Sequence, residues 1–212
     1  MNTGTRLAIA LLVLLGCWYG MATWRQSRLN RWPIRNLPVA SGPVVCFGDS
    51  LVSGVGASAA TETYPAQLGR LLGREVLADG IPGQTTADAL ARLRDGEGPH
   101  DAALVIVTLG GNDMLNRTSL TTTVENLRAI FSELHARRAV VALTVIESPL
   151  SGGRGKALAQ LCKRQGVIVV PDILGGILNH TELKDDPIHP NDAGYALVAE
   201  RVDKVLRPYL QQ

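Results

Sequence analysis

The pattern of apolar and polar positions divides the chain near residue 44. From Val44 onward, short apolar runs rich in β-branched residues alternate with stretches whose apolar positions recur every three or four residues. The first pattern suits a strand buried on both faces and the second an amphipathic helix, so their alternation predicts a parallel sheet covered by helices. Strands are expected at 44–47, about 75–78, 103–109, 140–146 and 167–170. Helices are expected at Tyr64–Leu72, with Thr63 as cap and Pro65 in its first turn, and at Thr86–Arg94, 120–137 and 156–165. A last helix from about Asp192 carries Tyr195, Val198, Val202, Val205, Leu206 and Tyr209 along one stripe. The run 103–109 is the strongest strand signal and stops at Gly110-Gly111-Asn112-Asp113.

The segment before residue 44 has a different character. Between Arg6 and Arg25 lie 18 residues without a charge, a length that just reaches across a bilayer core. Trp18, Tyr19 and Trp24 fall in its C-terminal half, as aromatic residues near a membrane interface do. Three readings stay open. A single-pass anchor fits the length best. A cleaved signal peptide lacks a clear small-x-small site before a polar segment. A lipoprotein signal would use Leu14-Leu15-Gly16-Cys17, but Trp18 to Trp24 stays apolar where such a chain turns polar. Arg25, Arg28, Arg31 and Arg35 outnumber Arg6 and the amino terminus, so the charge rule places the following domain in the cytoplasm, with a periplasmic or lipoprotein form as the alternative. The same cluster also suits a linker lying against anionic headgroups. Residues 1–29 are thus expected to be a membrane anchor or signal segment, 30–43 a linker marked by Pro33, Pro38, Gly42 and Pro43, and 44–212 one folded domain.

Composition narrows the function classes. A chain of 212 residues accommodates one domain with a full core, and a net charge of +2 with scattered basic residues leaves no nucleic-acid footprint. Three cysteines make no disulfide framework; Cys46 and Cys162 sit in apolar patterns and are expected as buried, inert thiols. His100, His135 and His180 have no partner at metal-ligand spacing and are expected on the surface or in loops. Neither a metal nor an organic cofactor is implied. The stretch Ser151-Gly152-Gly153-Arg154-Gly155-Lys156 resembles a phosphate loop, yet its first glycine is misplaced and Ala157 stands where Ser or Thr is needed.

Nucleophilic acyl transfer requires a hydroxyl, a base, a group that orients the base, and donors for the developing oxyanion. Ser50 follows the first strand in Gly48-Asp49-Ser50-Leu51, at the edge where open α/β sheets build sites. Asp186 precedes His189 by three residues in the proline-stiffened Asp186-Pro187-Ile188-His189-Pro190, just ahead of the last helix. A carboxylate there can accept from His189 Nδ1 and leave Nε2 facing Ser50. Asn112 ends the third strand, and Gly83 follows the second, where the absence of a Cβ lets a backbone N–H approach closely. With the Ser50 N–H they make three candidate oxyanion donors. Each segment alone also suits an ordinary turn or cap; four loops at strand ends supplying the parts of one mechanism outweigh that reading. Asp49 and Asp113 are expected to tie their own turns, and Asp185 to be an exposed bystander.

These blocks, GDSL at 48–51, the Gly83-Gln84-Thr85 loop, GGND at 110–113 and DPIHP at 186–190, resemble the SGNH hydrolases, also called GDSL lipases and esterases. Within that family the chain looks most like bacterial arylesterases and the acyl-CoA thioesterase I/lysophospholipase L1 group. The resemblance implies a flavodoxin-like three-layer α/β/α sandwich on a five-stranded parallel sheet in the order 2-1-3-4-5, here preceded by one N-terminal apolar helix. It implies Ser50 as nucleophile, Gly83 and Asn112 as oxyanion donors, His189 as base and Asp186 as its orienter. The expected activity is hydrolysis of short acyl or aryl esters, lysophospholipids or acyl thioesters. Carbohydrate O-deacetylation or acyl transfer would use the same residues, and a catalytically silent, membrane-tethered binding module is the alternative from another class. Two departures bear on the substrate. The connection 147–155 is brief and glycine-rich where thioesterase-like members carry a longer loop, which puts long acyl chains in doubt, and residues 114–118 differ from the usual pattern.

Overall fold

The structure, a computed structural model, describes residues 30–147 and 153–210. The expected anchor or signal segment at 1–29 therefore lies outside the described residues, as do Ser151 and Gly152 of the phosphate-loop-like stretch. Among the described residues no helix is long and apolar enough to cross a membrane.

Five parallel strands form one sheet: β1 (Val44–Gly48), β2 (Val76–Gly80), β3 (Leu104–Thr108), β4 (Val140–Thr144) and β5 (Ile168–Val170), in the order β2-β1-β3-β4-β5. Helices connect them: α1 (Ser50–Ser53) and α2 (Tyr64–Leu72) after β1, α3 (Thr86–Arg94) after β2, α4 (Gly111–Leu115) and α5 (Leu120–Ala136) after β3, α6 (Arg154–Gln165) before β5, and α7 (Asp192–Leu210) at the end. Because side chains alternate along a strand, each strand feeds two cores. Val44, Cys46, Leu104, Ile106, Val140 and Ala142 pack with Tyr64, Leu68, Tyr195, Val198 and Val202 of α2 and α7. The intervening Val45, Phe47, Val105, Val107, Val141 and Leu143 are buried on the opposite face, where α3, α5 and α6 supply Leu93, Leu127, Phe131 and Leu161. Ile34, Leu37 and Val39, in the segment expected as connection, lie against the first core, and Asn36 Nδ2 donates to the carbonyls of His135 and Ala139.

The sheet register positions the site. Gly48, the last residue of β1, pairs with Gly80 of β2 and Thr108 of β3, so three strands end at one level. The chain leaves β1 toward β2 on one side and β3 lies on the other. This is the switch point of the sheet, outside whose carboxyl edge a crevice opens.

Several boundaries differ from expectation. Strand β2 runs to Gly80 although Asp79 and Gly80 are poor strand formers; pairing with Phe47 and Gly48 overrides local preference. Strands β3, β4 and β5 are shorter than their apolar runs; the flanking Ala103 and Val145 are buried, and single backbone bonds, Ala103 N–H to Pro43 O at 3.0 Å and Val145 N–H to Val170 O at 2.8 Å, continue from the ladders at those ends. The one-turn helices α1 and α4 and the 3₁₀ turns Ile177–Asn179 and Thr181–Leu183 are too short to show a period. On the stripe of α7, Val205 and Tyr209 are half-buried rather than buried. His135 also departs from expectation: it is 4% exposed in the last turn of α5, where burial, reinforced by the charge of Arg35, pushes its pKa down to about 4. Cys46 and Cys162 are buried, and burial pushes each thiol up to about 12.

Candidate active site

Ser50 stands on a turn that the register forces to be tight. Strand β1 ends at Gly48, Asp49 caps α1 by accepting from the Leu51 N–H at 3.0 Å, and Ser50 is the first helical residue. A Cβ on Gly48 would lie 2.1 Å from the Thr108 carbonyl oxygen, so only glycine lets β1 and β3 part this closely below the serine. The Ile81 N–H donates to Gly48 O at 2.9 Å and the Asp49 N–H to Thr108 O at 3.3 Å, which ties the loops after β1, β2 and β3 together.

His189 reaches this turn from the far end of the sequence. Its Nε2 lies 2.9 Å from Ser50 Oγ, and its Nδ1 lies 2.7 Å from Asp186 Oδ2. The other Asp186 oxygen accepts the backbone N–H groups of Ile188 and His189, both at 2.8 Å. The His189 hydrogen bond, followed by that of Ile188, holds the Asp186 carboxyl below its ordinary value. With Nδ1 donating to this carboxylate, Nε2 is the acceptor for the Ser50 hydroxyl. The His189 side chain is 12% exposed and that of Asp186 39%, so the imidazole is shielded and its carboxylate partner is wetted.

The docking of α7 fixes the approach. Tyr195 Oη donates to Val55 O at 2.6 Å, and the Asp192 carboxylate accepts from Ser58 N–H at 2.8 Å and Ser58 Oγ at 2.6 Å. Both contacts join the start of α7 to the segment after Ser50, so the histidine loop and the serine turn are held as one body. Asp185 is exposed, as expected.

The two remaining predicted residues occupy different positions. Asn112 is the second residue of α4, and its Nδ2 donates to Gln84 O at 3.0 Å and lies 3.5 Å from Asp49 Oδ2. The short bond to Gln84 O anchors the amide, the contact with Asp49 is long, and Asn112 lines the same cleft as Ser50. Gly83 lies at the exposed tip of the neighbouring loop with φ +79°, and a Cβ there would meet no atom within 4 Å. Ser50, Asn112 and His189 line a common cleft, Gly83 is beside it rather than among the lining residues, and Asp186 lies behind His189.

The sequence missed other parts of the site. Asp113 does not tie its own turn. It is 1% exposed and accepts from the Thr86 N–H at 2.9 Å, from Thr86 Oγ1 and from Thr123 Oγ1 at 3.4 Å, pinning α3, α4 and α5 to each other. Asp49 does cap its own turn, but it also faces Asn112, and burial pushes its carboxyl up to about 6. The rest of the cleft is apolar, built from Leu51, Met114, Leu115, Ile146, Leu174 and Ile188. Leu115 and Ile188 form its rim at 54% and 44% exposed. Leu174 comes from a loop without periodicity, so nothing in the sequence marked it. Among the described residues no group of three His, Cys, Asp or Glu side chains is placed to hold a metal ion.

Residues 46–197 match the model of the GDSL-like Lipase/Acylhydrolase family. The chain is 30% identical over 178 residues to the thioesterase 1/protease 1/lysophospholipase L1 of Escherichia coli (strain K12), covering 80% of this chain and 85% of that one. It is 28% identical to an arylesterase of Vibrio mimicus, covering 81% and 91%. Among solved structures, the crystal structure of TesA superposes with a TM-score of 0.73 at 26% identity, covering 80% of this chain and all of that one.

Proposed function

The chain belongs to the GDSL-like lipase/acylhydrolase family, and from that premise we propose that it is a serine hydrolase whose ester cleavage runs through Ser50, His189 and Asp186. The observation that carries the assignment is the continuous relay from Asp186 Oδ2 to His189 Nδ1 at 2.7 Å and from His189 Nε2 to Ser50 Oγ at 2.9 Å.

In the proposed reaction Ser50 Oγ attacks the acyl carbonyl carbon while His189 Nε2 takes the hydroxyl proton. Asp186 holds the ring in the tautomer that can accept it and stabilises the imidazolium. The carbonyl oxygen becomes an oxyanion, faced by the second amide hydrogen of Asn112 and the N–H groups of Ser50 and Gly83. Collapse expels the alcohol or thiol, which leaves with the proton from His189. Water then attacks the acyl-Ser50 ester with its proton passing to His189, and the carboxylic acid is released as Ser50 recovers its hydrogen. Oxyanion donors act here as preorganised dipoles, and losing one costs on the order of 100-fold in rate.

The substrate class follows from the cleft. Leu51, Met114, Leu115, Ile146, Leu174 and Ile188 favour an apolar acyl or aryl group over a sugar, which supports short acyl and aryl esters, acyl thioesters and lysophospholipids above carbohydrate deacetylation. The uncharged stretch 7–24 supports an N-terminal single-pass anchor, which would hold the enzyme beside lipid substrates, and the arginine cluster supports a cytoplasmic domain.

The test is hydrolysis of p-nitrophenyl acetate by the purified chain together with labelling by a fluorophosphonate probe. Wild type should turn over and label; Ser50→Ala should lose the label and at least about 10⁴-fold in kcat. Full activity in Ser50→Ala would sink the mechanism, and no activity or labelling in wild type would leave the silent binding module. A reporter fused after Gln212 reads the side of the membrane.

A further inference from the structure

Resting on the hydrolase reading above, we infer that Arg92, on α3 and outside the cleft, is a positioning residue that sets the oxyanion-binding geometry through Gln84. The 81–85 loop supplies, from Gln84, the carbonyl that anchors Asn112, so the placement of the Asn112 amide depends on where Gln84 sits. The ends of the loop are pinned, since the Ile81 N–H bonds to Gly48 O and the Thr86 N–H to Asp113. Its centre is held differently. Gln84 is 6% exposed, and its side-chain Oε1 accepts from Arg92 Nη2 at 3.3 Å while its backbone oxygen accepts from Asn112 Nδ2 at 3.0 Å.

Arg92 is itself fixed from three directions. Nη1 pairs with Asp79 Oδ1 at 2.5 Å, Nη2 reaches Asp79 O at 3.4 Å, and the guanidinium lies 4.5 Å from the centroid of the Phe47 ring, one residue before Gly48. The side chain is only 10% exposed. A planar fork can bond Asp79, stack on Phe47 and reach Gln84 at once; an ammonium cannot. A surface ion pair would need none of this. The arrangement transmits the position of β1 and β2 to the loop that orients Asn112, without any contact between Arg92 and a substrate.

Four variants of the full chain test this: Arg92→Met, Arg92→Lys, Gln84→Met and Asn112→Ala, with Arg92→Met/Asn112→Ala as the double. Each is assayed for kcat and KM on p-nitrophenyl acetate, with thermal unfolding followed by circular dichroism. Arg92→Met is expected to lower kcat on the order of 10-fold with KM within about twofold of wild type, because misplacing a donor weakens transition-state binding selectively. Arg92→Lys should recover less than half of that loss. In the Asn112→Ala background the Arg92→Met effect should shrink to about twofold or less, since the donor being positioned is gone. If Arg92→Met fails to fold, Gln84→Met, which removes the acceptor and leaves the Arg92–Asp79 pair intact, should show the same kcat loss. Multiplying losses in the double variant, or an unchanged kcat in Gln84→Met, overturns the inference. Failure of the hydrolase reading would look different, as an inactive wild type or an active Ser50→Ala.

Discussion

Asp186 holds His189 at two points: Oδ2 accepts from the ring Nδ1 at 2.7 Å, and Oδ1 accepts from the backbone N–H of the same residue at 2.8 Å. The ring and its own backbone are thus referenced to one carboxylate, which makes the orientation of Nε2 toward Ser50 a property of the loop. Asp186→Asn keeps one acceptor but places an amide N–H₂ against Nδ1 or gives up the backbone contact. In the first orientation the ring is driven toward the tautomer that cannot accept from Ser50; in the second an amide N–H₂ opposes the backbone N–H groups of Ile188 and His189 and the loop that aims the ring loses its anchor. The expected loss in kcat/KM on p-nitrophenyl acetate at pH 7 is on the order of 10³- to 10⁴-fold, with the fold retained by circular dichroism. A variant within tenfold of wild type would contradict the proposed role.

Asp49 makes a prediction about pH. Its pKa in the folded chain is about 6, raised by burial from an ordinary 3.8. Between these values the folded chain keeps a proton that the unfolded chain has lost, so this group's contribution falls as pH rises from 3.8 through 6 and the deficit persists above. The deficit is on the order of 3 kcal/mol. Asp49→Asn retains a capping oxygen for the Leu51 N–H and removes the ionisation. Relative to wild type its Tm should be higher at pH 8 and the advantage should vanish at pH 4. An advantage equal at both pH values would show that the carboxyl does not titrate as its burial requires.

Gly48 and Gly83 flank the same site but differ in what a methyl group would meet. On Gly48 it would lie 2.1 Å from the Thr108 carbonyl oxygen, so β1 and β3 must separate. Gly48→Ala is expected to cost more than about 3 kcal/mol in urea unfolding. On Gly83 it would meet nothing, and only the φ of +79° is unfavourable, which costs about 1 kcal/mol. Comparable losses in the two variants would mean that the serine turn is not as tightly apposed to β3 as the register indicates.

The parts of the fold legible in the sequence are those that depend on burial period. The apolar runs at β1, β3 and β4 read as strands because both faces of the sheet are covered, and α2, α3 and α5 read as helices because one stripe of each is buried. The short elements were not legible: α4 spans five residues and α1 four, less than two turns, so neither has a period to detect. Yet α4 is the element that carries Asn112. Asp113 was misread for a related reason. An aspartate after a glycine pair suits a local turn, and its bonds to Thr86 and Thr123 exist only once α3 and α5 pack side by side.

Sequence alone determined the chemical parts of the proposed site and their order along the chain: a serine after one strand, an asparagine after another, and an aspartate and histidine before the last helix. These are local matters, set by turn chemistry and by which residue types can donate, accept or attack. Tertiary structure decided which of those groups meet. Residues separated by 139 positions come to 2.9 Å because the parallel register ends three strands at one level and α7 docks on the serine segment through Tyr195 and Asp192. It also decided the supports, from Asp113 across three helices to Arg92 behind Gln84, since long-range hydrogen bonds follow from packing and leave no spacing in the sequence to read.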